Sequence, residues 1–141
     1  MRILISILLL TACGGPLIEP GKYLVSATNI SSTDPTEIVG EQSDATWTLS
    51  ENDGDYKLDL DNGIVLDGKE DGDIISFNLY KAPLFCVSDF VHLHTDIAPT
   101  KKGFKGNASQ EINFCNYYNP DTNEERMMNW ATYFTVKGTA E

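Results

Sequence analysis

Residues 45–80 read ATWTLSENDGDYKLDLDNGIVLDGKEDGDIISFNLY, and two rhythms in that stretch decide the fold class. The first is alternation. Trp47 and Leu49 share one face, as do Tyr56, Leu58 and Leu60, and then Ile75, Phe77 and Leu79. Side chains of a strand point to opposite faces in turn, so period-two patterning marks half-buried strands. The second rhythm is punctuation. Asn52-Asp53-Gly54, Asp61-Asn62-Gly63 and Asp71-Gly72 interrupt the alternation at close intervals. Asn, Asp and Gly accept the positive φ angles that tight hairpins require. Short strands joined by tight turns make an antiparallel meander.

The same criteria, carried outward, predict strands over residues 22–28, 45–50, 55–60, 63–67, 73–80, 89–95, 110–116 and 131–137. The polar stretch 29–44, with Ser31-Ser32-Thr33-Asp34-Pro35, reads as a long loop. Residues 96–109, which hold Pro99 and two glycines, read as another, and 116–124 as a third. Thr122-Asn123-Glu124-Glu125 fits a capping box, with Met127, Trp130 and Ala131 at helical spacing, so a short helix is expected near 122–131. The expected class is therefore all-β: a small antiparallel meander closing into a barrel of about eight strands, or a two-sheet sandwich. Closure would pair the first strand with Tyr133–Lys137.

The chain opens with a different pattern. Arg2 precedes an apolar run from Ile3 to Leu10, broken by Ser6 and followed by small residues up to Cys13. That order is the layout of a secretory signal peptide, and the run is far short of the ~20 residues that span a bilayer. Leu10-Thr11-Ala12-Cys13 resembles the lipobox of bacterial lipoproteins. The resemblance covers these four residues and the segment before them. It implies cleavage before Cys13, diacylglycerol on the Cys13 thiol, and acylation of the new amino group by palmitate or a similar chain. Gly14 after the Cys resembles the outer-membrane sorting class. The expected organisation is a signal peptide over 1–12, a tether over 13–20 and a β-barrel-like domain over 21–141, held at the cell envelope.

Of 141 residues, removing 12 leaves 129, enough for one modest core. Cleavage also removes Arg2, one of 10 basic side chains against 21 acidic, and moves the formal charge from −11 to −12. Such a chain repels nucleic-acid phosphates and anionic headgroups and favours cationic partners. With Cys13 assigned to lipid, Cys86 and Cys115 remain, and export to an oxidising compartment makes them a disulfide.

Chemistry-bearing patterns are sparse. His92-Leu93-His94-Thr95-Asp96 places two imidazoles and a carboxylate on one face of a strand, a candidate metal set of His92, His94 and Asp96. The spacing resembles the opening of the metallo-β-lactamase motif, but Ile97 stands where that motif has its next His. Val91, Leu93 and Ile97 form the apolar face of the same strand, which turns the histidines outward. The acids from Asp53 to Asp73 lack the spacing of a calcium loop, since Gly63 comes one residue early after Asp59 and Asp61. Ser88 has Asp89 and His92 nearby but no nucleophile elbow around it. No phosphate-binding glycine loop is present, and the sequence calls for no cofactor. Trp47, Tyr117, Tyr118 and Trp130 are candidates for core anchors or for a ligand site.

Three functions follow as expectations. One is a non-enzymatic module that holds a small ligand or a protein. A second is a surface effector or inhibitor of a cationic protein; periplasmic lysozyme inhibitors are acidic lipoprotein barrels, but their Ser-Gly loop motif is missing here. The third is a small metal-dependent hydrolase using His92, His94 and Asp96.

Overall fold

The computed structural model describes residues 14–82, 88–119 and 121–141. The signal segment, Cys13 and Cys86 lie outside the described residues. Eight antiparallel strands form a closed barrel in chain order: β1 (Gly21–Ser32), β2 (Gln42–Asn52), β3 (Asp55–Asp59), β4 (Val65–Asp71), β5 (Ile74–Lys81), β6 (Phe90–Thr100), β7 (Gly103–Asn119) and β8 (Glu124–Ala140). β1 closes against β8, with Ser26 opposite Lys137 and Ser31 opposite Tyr133. The barrel is thus the realised alternative, and the sandwich is not.

Local chemistry explains the turns. Asp53 and Gly54 both have positive φ, 52° and 85°, as a two-residue hairpin needs. Asp61 and Gly63, with φ of 61° and 82°, turn the longer connection between β3 and β4. The alternating apolar residues line the interior: Val25, Trp47, Leu49, Tyr56, Leu58, Leu66, Ile75, Phe77, Ile97, Phe104 and Val136 are buried together. Outside stand Lys57, paired with Asp67 at 2.7 Å, and Lys69 with Asp55 at 3.8 Å. A polar wall around an apolar interior is the reverse of a barrel that crosses a bilayer.

Four expectations need correction, the first being the loop over 116–124, since β7 runs on to Asn119 and β8 starts at Glu124. The helix near 122–131 does not form. Asp121–Asn123 is a hairpin turn, with Asn123 at φ 56°, and β8 runs through the segment to Ala140. Helical spacing at Met127, Trp130 and Ala131 competes with a period-two series in which Met128, Thr132 and Val136 are buried. Pairing with β7 decides for the strand, because an isolated short helix is marginal whereas the ladder satisfies every backbone group. The loop over 96–109 is likewise strand on both sides of a two-residue turn. Gly106 sits where the β6 backbone comes so close that a Cβ would overlap the Asp96 carbonyl oxygen, so this glycine marks a close approach and not a loop. The loop over 29–44 shrinks to residues 33–41, since both flanking strands run further than alternation alone suggests.

The two ends of the barrel differ. At one end Ile18 is buried, and Tyr23 packs on Phe104 with ring centroids 5.1 Å apart. There the Leu17 N–H donates to the Tyr56 hydroxyl at 3.0 Å, and that hydroxyl donates to Glu70 at 2.5 Å. The segment before β1 therefore plugs this end. The β1–β2 loop and the β3–β4 turn lie at the other end.

Candidate functional site

Above the plug, small residues leave space. Ala27 on β1 and Ala108 on β7 are small residues of the inner face, and a cavity of about 220 Å³ opens between them. Trp47, stacked on Phe104 at 6.1 Å, lies at its inner end, and Leu66, Leu93 and Phe134 are among its walls. Ser43, Thr95, Ser109 and Gln110 bring polar atoms, and no Lys, Arg, His, Asp or Glu lines it. Interiors normally pack with few voids larger than water, so a space of this size in a small domain calls for a reason. An engineered apolar cavity of ~150 Å³ takes up benzene, so this one suits a single ring or a short chain. Larger hollows lie on the outer wall, for example over Asp55, Lys57, Asp67 and Lys69, but they are open grooves between charged side chains.

At the loop end of β1 stands Asn29, 3% exposed, with neither its amide nitrogen nor its amide oxygen hydrogen-bonded. Its backbone is satisfied: its N–H donates to Glu41 at 2.9 Å, and its carbonyl accepts from Gly40 at 2.7 Å. A bulge follows, in which Ile30 is the extra residue between the pairs Asn29–Phe134 and Ser31–Tyr133. Alternation along β1 leaves Asn29 inward, in line with Val25 and Ala27, and Ile30 outward at 51% exposure. Nothing in the local sequence announces an unpaired amide here. Only its place on an inward-facing row hints at it.

The candidate metal set is on the outer wall. His92, His94 and Asp96 do share one face of β6, but their contacts are pairwise. His92 Nε2 lies 3.2 Å, and His94 Nδ1 2.8 Å, from the same Asn78 Oδ1, while His94 Nε2 faces Asp96 at 3.1 Å. The remaining His92 nitrogen points to Glu111 at 4.0 Å. Among the described residues no three His, Cys, Asp or Glu side chains are grouped to hold a metal. Tyr80 stacks on Phe90 at 5.9 Å and meets His92 edge-on at 6.0 Å, which braces this part of the wall.

Asp89 is a buried carboxylate near the loop end and accepts the Cys115 N–H at 2.8 Å. Asn113 donates to the carbonyl of Ser88. These bonds hold the start of β6 to the middle of β7. Ser88, Asp89 and His92 therefore form no nucleophile–base array, since Asp89 is spent on the Cys115 backbone. Of the candidate aromatics, Trp47 lies in the cavity wall and the side chains of Tyr117 and Tyr118 lie outside the described residues.

No family model, no curated protein and no solved structure matches this chain.

Proposed function

We propose that this chain is an exported lipoprotein, anchored through Cys13, whose barrel binds a small, largely apolar ligand in its interior. The observation that carries the reading is the 220 Å³ apolar cavity between Trp47 and the loop end of the barrel. An eight-stranded barrel is just wide enough to hold one small ligand, and a concave apolar site with few polar groups is the usual form of such a site. The segment leading back to Cys13 meets the barrel at its plugged end, against Tyr56 and Glu70. A lipid on Cys13 would therefore leave the cavity's end turned away from the anchoring membrane. A Cys86–Cys115 disulfide belongs to the same reading: the bonds to Ser88 and Asp89 hold the chain three residues from Cys86 against Cys115.

Two measurements test it. Titration of the purified protein with toluene should change the emission of Trp47 saturably and release heat, and Trp47→Phe should remove the optical signal while keeping the heat. No saturable binding of any single-ring or short-chain probe refutes the cavity reading. Separately, Cys13→Ser should abolish membrane association and the added lipid mass. A wild-type protein recovered without lipid from soluble fractions refutes the anchor.

A further inference from the structure

We infer that the cavity's ligand is carried on a polypeptide: an extended segment of a cationic protein pairs with the free edge of β2 and sends one apolar side chain into the cavity. The inference rests on the cavity reading and names the ligand's source. β2 is 11 residues long, but β3 pairs only with its residues 48–52. Residues 42–47 pair with β1 on one side and, among the described residues, with no strand on the other. The ladder fixes where their backbone groups point. The Asn29 N–H donates to the Glu41 carbonyl, so odd-numbered residues along β2 exchange bonds with β1. Gln42, Asp44 and Thr46 therefore aim N–H and C=O away from β1, as Thr48, Ser50 and Asn52 do toward β3. An edge of this kind is a template for an added strand.

The same edge borders the opening of the cavity. Ser43 and Ala45 belong to the inward row of Trp47 and Leu49 and line the cavity, yet both are exposed. In an added antiparallel strand, the residue opposite Ala45 projects to that inward face, where a space suited to a single ring takes a phenylalanine side chain. Charge selects the partner. Asp44 stands on the edge, Glu41 just before it, and Asp59 and Asp61 at the end of β3, all exposed. Over residues 33–66 the only base is Lys57, and Asp67 holds it at 2.7 Å. A second copy of this chain would set acid against acid along the edge, whereas lysines on the outer face of the added strand meet these carboxylates.

The test uses a seven-residue peptide, Lys-Thr-Lys-Phe-Lys-Thr-Lys, against the whole protein. Calorimetry should find it bound and in competition with toluene. Alanine in place of phenylalanine should weaken it at least tenfold and end the competition. In antiparallel register the lysines turn their N–H groups to β2 and the phenylalanine turns its own away. N-methyl groups on the two lysines beside phenylalanine should therefore abolish binding, and the same groups on phenylalanine and one threonine should leave it. Asp44→Pro should fold as the wild type does, since an edge strand tolerates proline where the N–H has no partner, and should lose the peptide while keeping toluene. Should proline disturb the fold, the methylated peptides decide alone. If toluene binds and the peptide does not, or if both methylated peptides bind equally, the β2 edge is overturned and the cavity reading stands. Simultaneous binding of peptide and toluene overturns the insertion. Equal binding of a peptide with glutamate for lysine overturns the cationic class. A dimer of the free protein that Asp44→Pro dissociates makes a second copy the occupant and overturns the foreign partner. If no apolar probe enters the cavity, the cavity reading falls and this inference with it.

Discussion

Replacing Ala108 with leucine sets binding against stability. Ala108 lies on β7 between Thr95 of β6 and Phe134 of β8, and all three line the cavity. A closed void of 220 Å³ would cost about 5 kcal/mol at ~24 cal/mol per Å³. That figure is an upper bound, because the open end admits water. Leucine adds three carbons, each contributing about 0.8 kcal/mol when buried. Ala108 is only partly buried, so the expected gain is roughly 1–2 kcal/mol. Denaturant unfolding should show a higher midpoint at unchanged slope, the sign that the folded state gained stability without a change in exposed surface. Toluene affinity should fall at least tenfold in the same protein. A destabilisation of more than ~1 kcal/mol, as overpacking of a filled core produces, would refute the reasoning.

Further outcomes follow from the wall and the plug. Gly106→Ala should destabilise by roughly 2–3 kcal/mol, since its methyl meets the Asp96 backbone and not a movable side chain; a near-neutral result would mean that β6 and β7 are further apart than described. Burial, and next the bond to Glu70, push the Tyr56 hydroxyl up from 10.0 to about 12. Unfolded Tyr56 ionises near 10, so its contribution is intact below that pH and is lost, on the order of 2 kcal/mol, as pH rises toward 12. Tyr56→Phe should flatten the alkaline fall in unfolding free energy, with Tyr23, also raised by burial, supplying what remains; an unaltered slope contradicts the assignment. Reducing a Cys86–Cys115 bond, which closes a loop of about 30 residues, should cost about 3.6 kcal/mol, and two free thiols in the exported protein would refute the pairing.

Legibility tracked the range of the forces involved. Residues 45–80 were readable because each signal is local: a turn residue fixes its own φ, and alternation needs only the strand it lies on. The outward histidines of β6 followed from the same alternation, and the closure of β1 on β8 from the tight turns of the meander. Residues 122–131 misled because two periods fit the same side chains, and the partner strand that chooses between them begins about twenty residues earlier, at Gly103. Gly106 misled in the same way. As a letter it is a loop residue, and only the approach of β6 makes it a strand residue.

The chain's own order of residues determined the class of fold, the hairpin turns and which faces are apolar, since these depend on dihedral preferences and on the two-residue period of a strand. The cavity and the unpaired Asn29 were decided by tertiary structure. Ala27, Ala108 and Phe134 are far apart in sequence, and each alone is an ordinary inward residue. They enclose a space only because closure of the barrel fixes the stagger of its strands, and that stagger brings small side chains together at one level. Asn29 continues the inward row of Val25 and Ala27, but which groups its amide would meet there depended on the strands that close around it.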